Sequence, residues 1–285
     1  MRFGVDSYLW SERFSKEDMH ILDIAKKLEC EVLDIAVGEL KDFPEAELKE
    51  KLLGCNLAIV TTMGLPAEYN LISSDAGVRR AGVDMLKQLV DLNIRIGSEI
   101  MSGVLYATWG YTTGRPRNAQ EWGWSVQGMR EVCEYAAQKS DLIIAMEAVN
   151  RFETHFINTA KDAVAYCKAV GTPNIKVHLD TFHMIREEKS FRDAIRTCGK
   201  EYLAYVHVCE NDRGIPGTGM VPWRELFATL KEIGYEGYCV IESFDPSFEK
   251  TNAQCAIWRT FAETGEELAT QGIRNLRKIY SEVCG

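Results

Sequence analysis

The sequence predicts a (β/α)₈ TIM barrel, with residues 1–285 forming a single domain. Short β-branched runs alternate with longer polar stretches of helical period, the mark of repeated βαβ units. Eight such runs can be counted. The length of 285 residues also suits one α/β barrel, a fold that typically needs roughly 250, and no Pro/Gly/Ser-rich linker divides it.

In chain order the strand-like runs are Phe3–Tyr8, Val32–Ala36, Ala58–Met63, Ile96–Gly103, Leu142–Ala148, Ile175–Asp180, Leu203–Val208 and Cys239–Ser243. Between them lie amphipathic segments such as Asn118–Lys139 and Thr159–Val170, with apolar residues at i, i+3 and i+4. Thr159 and Ser190 are suited to cap helices that open after the fifth and sixth strands. An open doubly wound sheet fits less well, because the first strand is not followed by GxGxxG and no dinucleotide site is visible.

Composition narrows the function. The chain is 46% hydrophobic and 26% charged, with 33 basic against 42 acidic residues and a net charge of −9. Such a surface repels phosphate backbones and anionic lipid, so neither nucleic acid nor a membrane is expected as partner. No apolar run approaches the ~18 residues of a membrane span. The start, Met1-Arg2-Phe3-Gly4-Val5-Asp6, lacks the apolar core of a signal peptide. Nine cysteines, none closer than eleven residues to the next, form no CxxC. They read as free, buried thiols in a reducing, cytoplasmic compartment.

In a barrel of this kind chemistry sits at the C-terminal ends of the strands. The fifth run ends Ala145-Met146-Glu147, the sixth Val177-His178-Leu179-Asp180, the seventh Tyr205-Val206-His207 and the eighth Val240-Ile241-Glu242. Spacings of 33, 27 and 35 residues are those of successive βα units, so the four are expected at one level, all facing the mouth. One such acid could simply cap the next helix. Three carboxylates converging with one imidazole would repel unless a cation neutralised them. The set suits Mn²⁺ or Co²⁺, or Mg²⁺, and the missing sulfur argues against structural zinc. Strands five and eight stand about 135° apart around an eight-strand ring, so Glu147 and Glu242 can serve opposite faces of one carbon, removing and returning a proton.

Beside these ligands, Glu153, His183 and Arg213 fall in loops of the same face, where substrate hydroxyls need partners. An ion pair of Arg213 with Glu210 or Asp212 is the competing reading. His178, two residues before Asp180, points inward one layer deeper as a core or supporting histidine. His20 and His155 lie outside the set. Trp10, Trp109 and Phe244 follow strands one, four and eight, where an apolar wall for a sugar could form.

At these residues the sequence resembles the ketose 3-epimerases, the D-tagatose and D-psicose (allulose) 3-epimerase family of the xylose-isomerase-like barrels. The blocks that carry the likeness are Glu147-Ala-Val-Asn-Arg-Phe-Glu153, Asp180-Thr-Phe-His183-Met, His207-x-x-Glu-Asn-Asp-Arg213 with Pro216-Gly217-x-Gly219, and Ile241-Glu242-x-Phe244. The resemblance implies a metal held by Glu147, Asp180, His207 and Glu242, usually Mn²⁺ or Co²⁺. It implies that Glu153, His183 and Arg213 hold the O1–O3 end of a free ketose, while the two glutamates exchange the C3 proton through a cis-enediolate. It also implies a homodimer or homotetramer. Two departures, Ser243 in place of Pro and Met101-Ser102-Gly103 in place of a Gly-Gly pair, are expected near the distal end of the sugar. A lyase or isomerase on the same barrel, such as an inosose dehydratase or an aldose–ketose isomerase, is the alternative. A non-catalytic binding barrel would not need both opposed glutamates, and a phosphosugar lacks a Gly-rich phosphate nest after strands seven and eight. Repair endonucleases of this superfamily use more than the five histidines present.

Overall fold

A computed structural model describes all 285 residues. Eight parallel strands close into one barrel in sequence order: β1 Arg2–Asp6, β2 Val32–Ala36, β3 Ala58–Gly64, β4 Ile100–Val104, β5 Ile143–Ala148, β6 Ile175–Asp180, β7 Leu203–His207 and β8 Tyr238–Ile241. Around it run α1 His20–Lys27, α2 Glu45–Leu52, α3 Ala76–Ile96, α4 Ala119–Ala137, α5 Ala160–Val170, α6 Thr181–Glu187, α7 Phe191–Tyr202, α8 Trp223–Glu232, α9 Glu249–Cys255 and α10 Gly265–Cys284.

Most boundaries agree with the sequence to within two residues, and the exceptions have local causes. Ile96, expected to begin the fourth strand, is instead the last residue of α3. Gly97 follows it with φ +72°, a left-handed stop that glycine takes without strain. Tyr8 leaves β1 because the Asp6 carboxyl accepts its backbone N–H at 2.5 Å and starts a short 3₁₀ turn, Ser7–Leu9. Thr159 caps α5, and Ser190 caps α7. The helix that directly follows the sixth strand is α6, capped by Asp180.

Alternation sorts the inward side chains into two layers. At the bottom, Val32, Val60, Ile100, Ala145, Tyr205, Tyr238 and Val240 form a closed apolar plug, in which a fully buried Val or Ile contributes about 1.5–3 kcal/mol. Two residues further along each strand the same face carries Asp34, Thr62, Ser102, Glu147, His207 and Glu242, all buried. The plug therefore floors a polar chamber. The opposite faces of the strands join the helices in one continuous core.

The four predicted ligands share a face, as expected, but not one level. Asp180 pairs laterally with His207, whereas Glu147 lies opposite His178 and His207 opposite Val240. Closing a barrel staggers its strands, so Glu147 and Glu242 stand two residues out of register with their neighbours. A bulge also intervenes. Val177 pairs with Leu203 and His178 with Tyr205, leaving Ala204 as an extra residue on β7. Without it Val206 would face Asp180 and His207 would point out of the barrel, since a one-residue slip exchanges the two faces.

Candidate active site

Asp180 and His207 are fully buried, and Glu242 is 6% exposed. His207 Nε2 donates to Asp34 Oδ2 at 3.2 Å. This leaves Nδ1, which has no hydrogen-bond partner, facing Glu242 Oε2 at 3.4 Å and Asp180 Oδ2 at 3.8 Å. Donor atoms of Asp180, His207, Cys209 and Glu242 all lie within 4.8 Å of one another. Glu147 stands beside this group rather than in it, within 4.8 Å of His207 and His178 in one group of three and of Asp180 and His183 in another. An unpartnered imidazole nitrogen among buried carboxylates fits a divalent cation, which Asp180, His207 and Glu242 would hold in place of any proton on Nδ1.

Arg213 settles the competing reading of its role. Its guanidinium is buried and pairs with neither Glu210 nor Asp212. Nη1 donates to Asp180 Oδ2 at 2.6 Å and forms an ion pair with Glu242 Oε2 at 2.8 Å, and the group stacks over Phe182 at 4.1 Å. The convergent carboxylates are thus partly neutralised by the chain itself. Its backbone is left-handed, φ +66°, a conformation uncommon outside glycine. It is held by Arg213 N–H to Glu210 O at 3.0 Å and by Ser243 Oγ donating to Arg213 O at 2.6 Å.

Glu153 and His183 meet through Asn150. The Asn150 side chain donates to Glu153 Oε1 at 2.8 Å, and its backbone N–H donates to His183 Nδ1 at 3.1 Å. With Nδ1 accepting, His183 carries its proton on Nε2, 3.5 Å from Glu147 Oε1. His183 is not in a loop as expected but in the first turn of α6. Trp109 Nε1 donates to Glu153 Oε2 at 2.7 Å, and its ring packs so closely on β3 that a Cβ at Gly64 would come within 2.7 Å of it. Glu147, Glu153, His183, Arg213 and Glu242 share one cavity with Trp109, Phe244 and Tyr8. Trp10 is not part of its wall. His20 is exposed and His155 lies beside Glu121, both apart from the site.

The two departures do not line this cavity. Ser243 instead fixes the Arg213 carbonyl, and Ser102 Oγ lies 2.9 Å from His178 Nδ1. His178 is only half satisfied, because its Nε2 has no partner. Burial and the neighbouring His207 push its pKa well below the usual imidazole value, so it stays neutral.

Four participants escaped the sequence reading. Asp34, fully buried, accepts from Tyr205 OH at 2.5 Å and Thr62 Oγ1 at 2.6 Å as well as from His207, and so fixes that ring. Asp6 pairs with it across β1 and β2. Contrary to the sulfur-free set expected, Cys209 places its Sγ 3.5 Å from Asp180 Oδ2. Glu210 gathers the loop that carries Arg213.

Charge directions follow from these neighbours. Burial raises the Glu147 pKa and the Glu242 charge adds to it, outweighing His183. Burial also works against ionised Asp180 and Glu242, yet Arg213 and His207 hold Asp180 well below the usual carboxylate range and Glu242 below it. Burial opposes a charged His207, but Glu242, Asp180 and Asp34 raise it well above normal.

The profile of the family described as xylose isomerase-like TIM barrel matches residues 22–279. D-psicose 3-epimerase of Ruminiclostridium cellulolyticum is 33% identical over 276 residues, spanning 94% of this chain and 92% of that protein. L-ribulose 3-epimerase of Methylomonas sp. is 30% identical over 98% of both chains. The solved D-allulose 3-epimerase of Methylomonas sp. in complex with D-allulose superposes with a TM-score of 0.93 at 29% identity, covering 98% of this chain and 97% of that one. The chain belongs to the ketose 3-epimerase family of the xylose isomerase-like TIM barrels.

Proposed function

We propose that this protein is an isomerase that inverts C3 of free ketoses of the D-tagatose, D-psicose (allulose) and D-fructose type. One observation carries the reading: two buried glutamates, Glu147 from β5 and Glu242 just beyond β8, reach one cavity, and donor atoms of Asp180 and His207 lie within 4.8 Å of each. A C3 proton, acidified by the adjacent carbonyl, leaves to one carboxylate, and the cis-enediolate is reprotonated by the other on the opposite face. The Glu153 carboxylate, the His183 Nε2–H and the Arg213 guanidinium offer the partners that hold substrate hydroxyls, and Trp109 walls the cavity. Glu147, Asp180, His207 and Glu242 would hold a divalent cation, Mn²⁺ or Co²⁺ with Mg²⁺ a third choice, which when bound polarises the ketose carbonyl.

Other features support the setting. No helix is long and apolar enough to cross a membrane. All nine cysteines are free, in keeping with a reducing cytoplasm. Phe152, Met220 and Trp258, each more than 70% exposed, lie in loops of the catalytic face. Apolar groups so exposed suit a homodimer or homotetramer.

The test incubates a panel of ketohexoses with the protein and Mn²⁺ in D₂O, followed by NMR and chromatography. Deuterium at C3 together with the C3 epimer is expected. An aldose, a dehydrated product, or no exchange with any ketose contradicts the reading. Chelation should abolish the activity and lower the melting temperature, with Mn²⁺ or Co²⁺ restoring both.

A further inference from the structure

We propose that Cys209 Sγ is a metal donor in this chain and that it turns the centre toward thiophilic divalent cations, Co²⁺, Zn²⁺ and Cd²⁺, over Mg²⁺. The proposal rests on the reading of Glu147, Asp180, His207 and Glu242 as metal ligands and adds a fifth, soft atom to them.

Position argues for it first. Cys209 follows His207 by two residues, so an extended chain carries both side chains to the same face, and the sulfur reaches the chamber just above the imidazole. Cys209 is 1% exposed. Thr181, the residue after Asp180, grips its backbone from both sides: Cys209 N–H donates to Thr181 Oγ1 at 2.7 Å, and that hydroxyl donates to Cys209 O at 2.6 Å. The backbone that carries the sulfur is thereby fixed beside Asp180, with Sγ 3.5 Å from Asp180 Oδ2.

The neighbours argue for it second. Of the nine cysteines only Cys209 joins a group of candidate donors, with Asp180, His207 and Glu242 inside 4.8 Å. Within that group the fully buried His207 Nδ1 has no hydrogen-bond partner, so the cluster has a vacant donor pointing at the same space. The only polar contact of Sγ is the long, weak one to Asp180 at 3.5 Å, which coordination can replace. On ligation the S–H bond gives way to an S–metal bond and the proton leaves to solvent.

Selectivity follows from donor chemistry. Carboxylates and imidazole alone accept Mg²⁺ and Mn²⁺ readily, whereas a thiolate favours cobalt, zinc and cadmium. A buried cysteine serving only as a small hydrophobe would leave that balance unchanged.

The experiment uses the full-length protein loaded with Co²⁺, as wild type and as Cys209→Ser, with Cd²⁺ and Mg²⁺ affinities measured by chelator competition. Wild type should show the near-ultraviolet sulfur-to-cobalt charge-transfer band alongside the visible bands that report bound cobalt. Cys209→Ser should keep the visible bands, lose the ultraviolet band, and lose at least about tenfold in Cd²⁺ affinity relative to Mg²⁺. Visible bands without a sulfur band in wild type overturn the proposal while leaving the metal site intact, and this needs no variant to fold. An unchanged Cd²⁺/Mg²⁺ ratio in Cys209→Ser overturns it as well. No bound cobalt at all overturns both the proposal and the metal reading beneath it.

Discussion

Glu210→Gln should cripple the loop that carries Arg213, through hydrogen bonding alone. Glu210 is fully buried. One carboxylate oxygen accepts from the backbone N–H of Asn211 at 3.1 Å and of Val221 at 3.0 Å. The other accepts from Gly217 N–H at 2.9 Å and Trp223 Nε1 at 3.0 Å. Glutamine keeps the shape but turns one oxygen into an amide donor, which must face two N–H donors whichever way it is placed. In either placement one buried donor, Val221 N–H or Trp223 Nε1–H, and one partly exposed donor lose their acceptor, and at about 1–3 kcal/mol for the buried one a loss of about 2 kcal/mol is expected. For a chain of this size that lowers Tm by about 4–8 °C. Because the Glu210 carbonyl also holds Arg213 in its left-handed conformation, kcat/KM should fall with it. Urea denaturation, calorimetry and ketose turnover measure all three. A Glu210→Gln protein that melts within about 2 °C of wild type with unchanged kcat/KM would refute the assignment of Glu210 as the anchor of this loop.

Two further predictions concern other parts of the molecule. Asp34→Asn should weaken Mn²⁺ binding by about 10–100-fold, read by electron paramagnetic resonance, because the acceptor that fixes the His207 ring is weakened; unchanged affinity would show that the ring needs no such support. Glu131, bonded to Arg80 and then Lys87, has its pKa lowered from 4.5 to about 2. A carboxylate depressed by folding contributes stability above its unfolded pKa and loses it as pH falls toward about 2. Its side chain is 38% exposed, so solvent screening limits the gain to about 1 kcal/mol at most. Glu131→Gln should be less stable than wild type at pH 7 and equal to it near pH 2, and a difference that persists in acid would contradict the pairing.

The barrel, and the strand-end position of Glu147, Asp180, His207 and Glu242 on one face, were legible because each depends on short-range pattern. An apolar run that ends in Glu, Asp or His announces both a strand and the end of it that faces the chemistry. What stayed hidden depends on contacts far apart in sequence. Asp34 sits inside Val32-Leu33-Asp34-Ile35-Ala36, and nothing local reveals that Tyr205, 171 residues on, supplies its partner. Cysteine spacing tests only pairs of cysteines, so a thiol two residues beyond β7 that lies near Asp180, His207 and Glu242 leaves no motif. The common level expected for the four ligands failed because stagger and the Ala204 bulge belong to barrel closure rather than to any one strand. Ile96 was misplaced because Asn93-Ile94-Arg95-Ile96 alternates like a strand, although Gly97 was the available sign of a helix end.

The central claim is that two opposed carboxylates exchange the C3 proton. The direct measurement is deuterium washout from C3-deuterated ketose in each of two variants, Glu147→Gln and Glu242→Gln, both verified to retain metal, starting from each epimer in turn. Epimerisation should fall in both variants by more than the about 10²–10⁴-fold usual for a general acid–base group, since each glutamate is also a proposed ligand. Residual washout should be asymmetric: each variant should exchange faster with the epimer whose C3 proton faces its surviving glutamate, since removal and return by one carboxylate gives exchange without inversion. Equal residual washout from both epimers in both variants would contradict the two-carboxylate account.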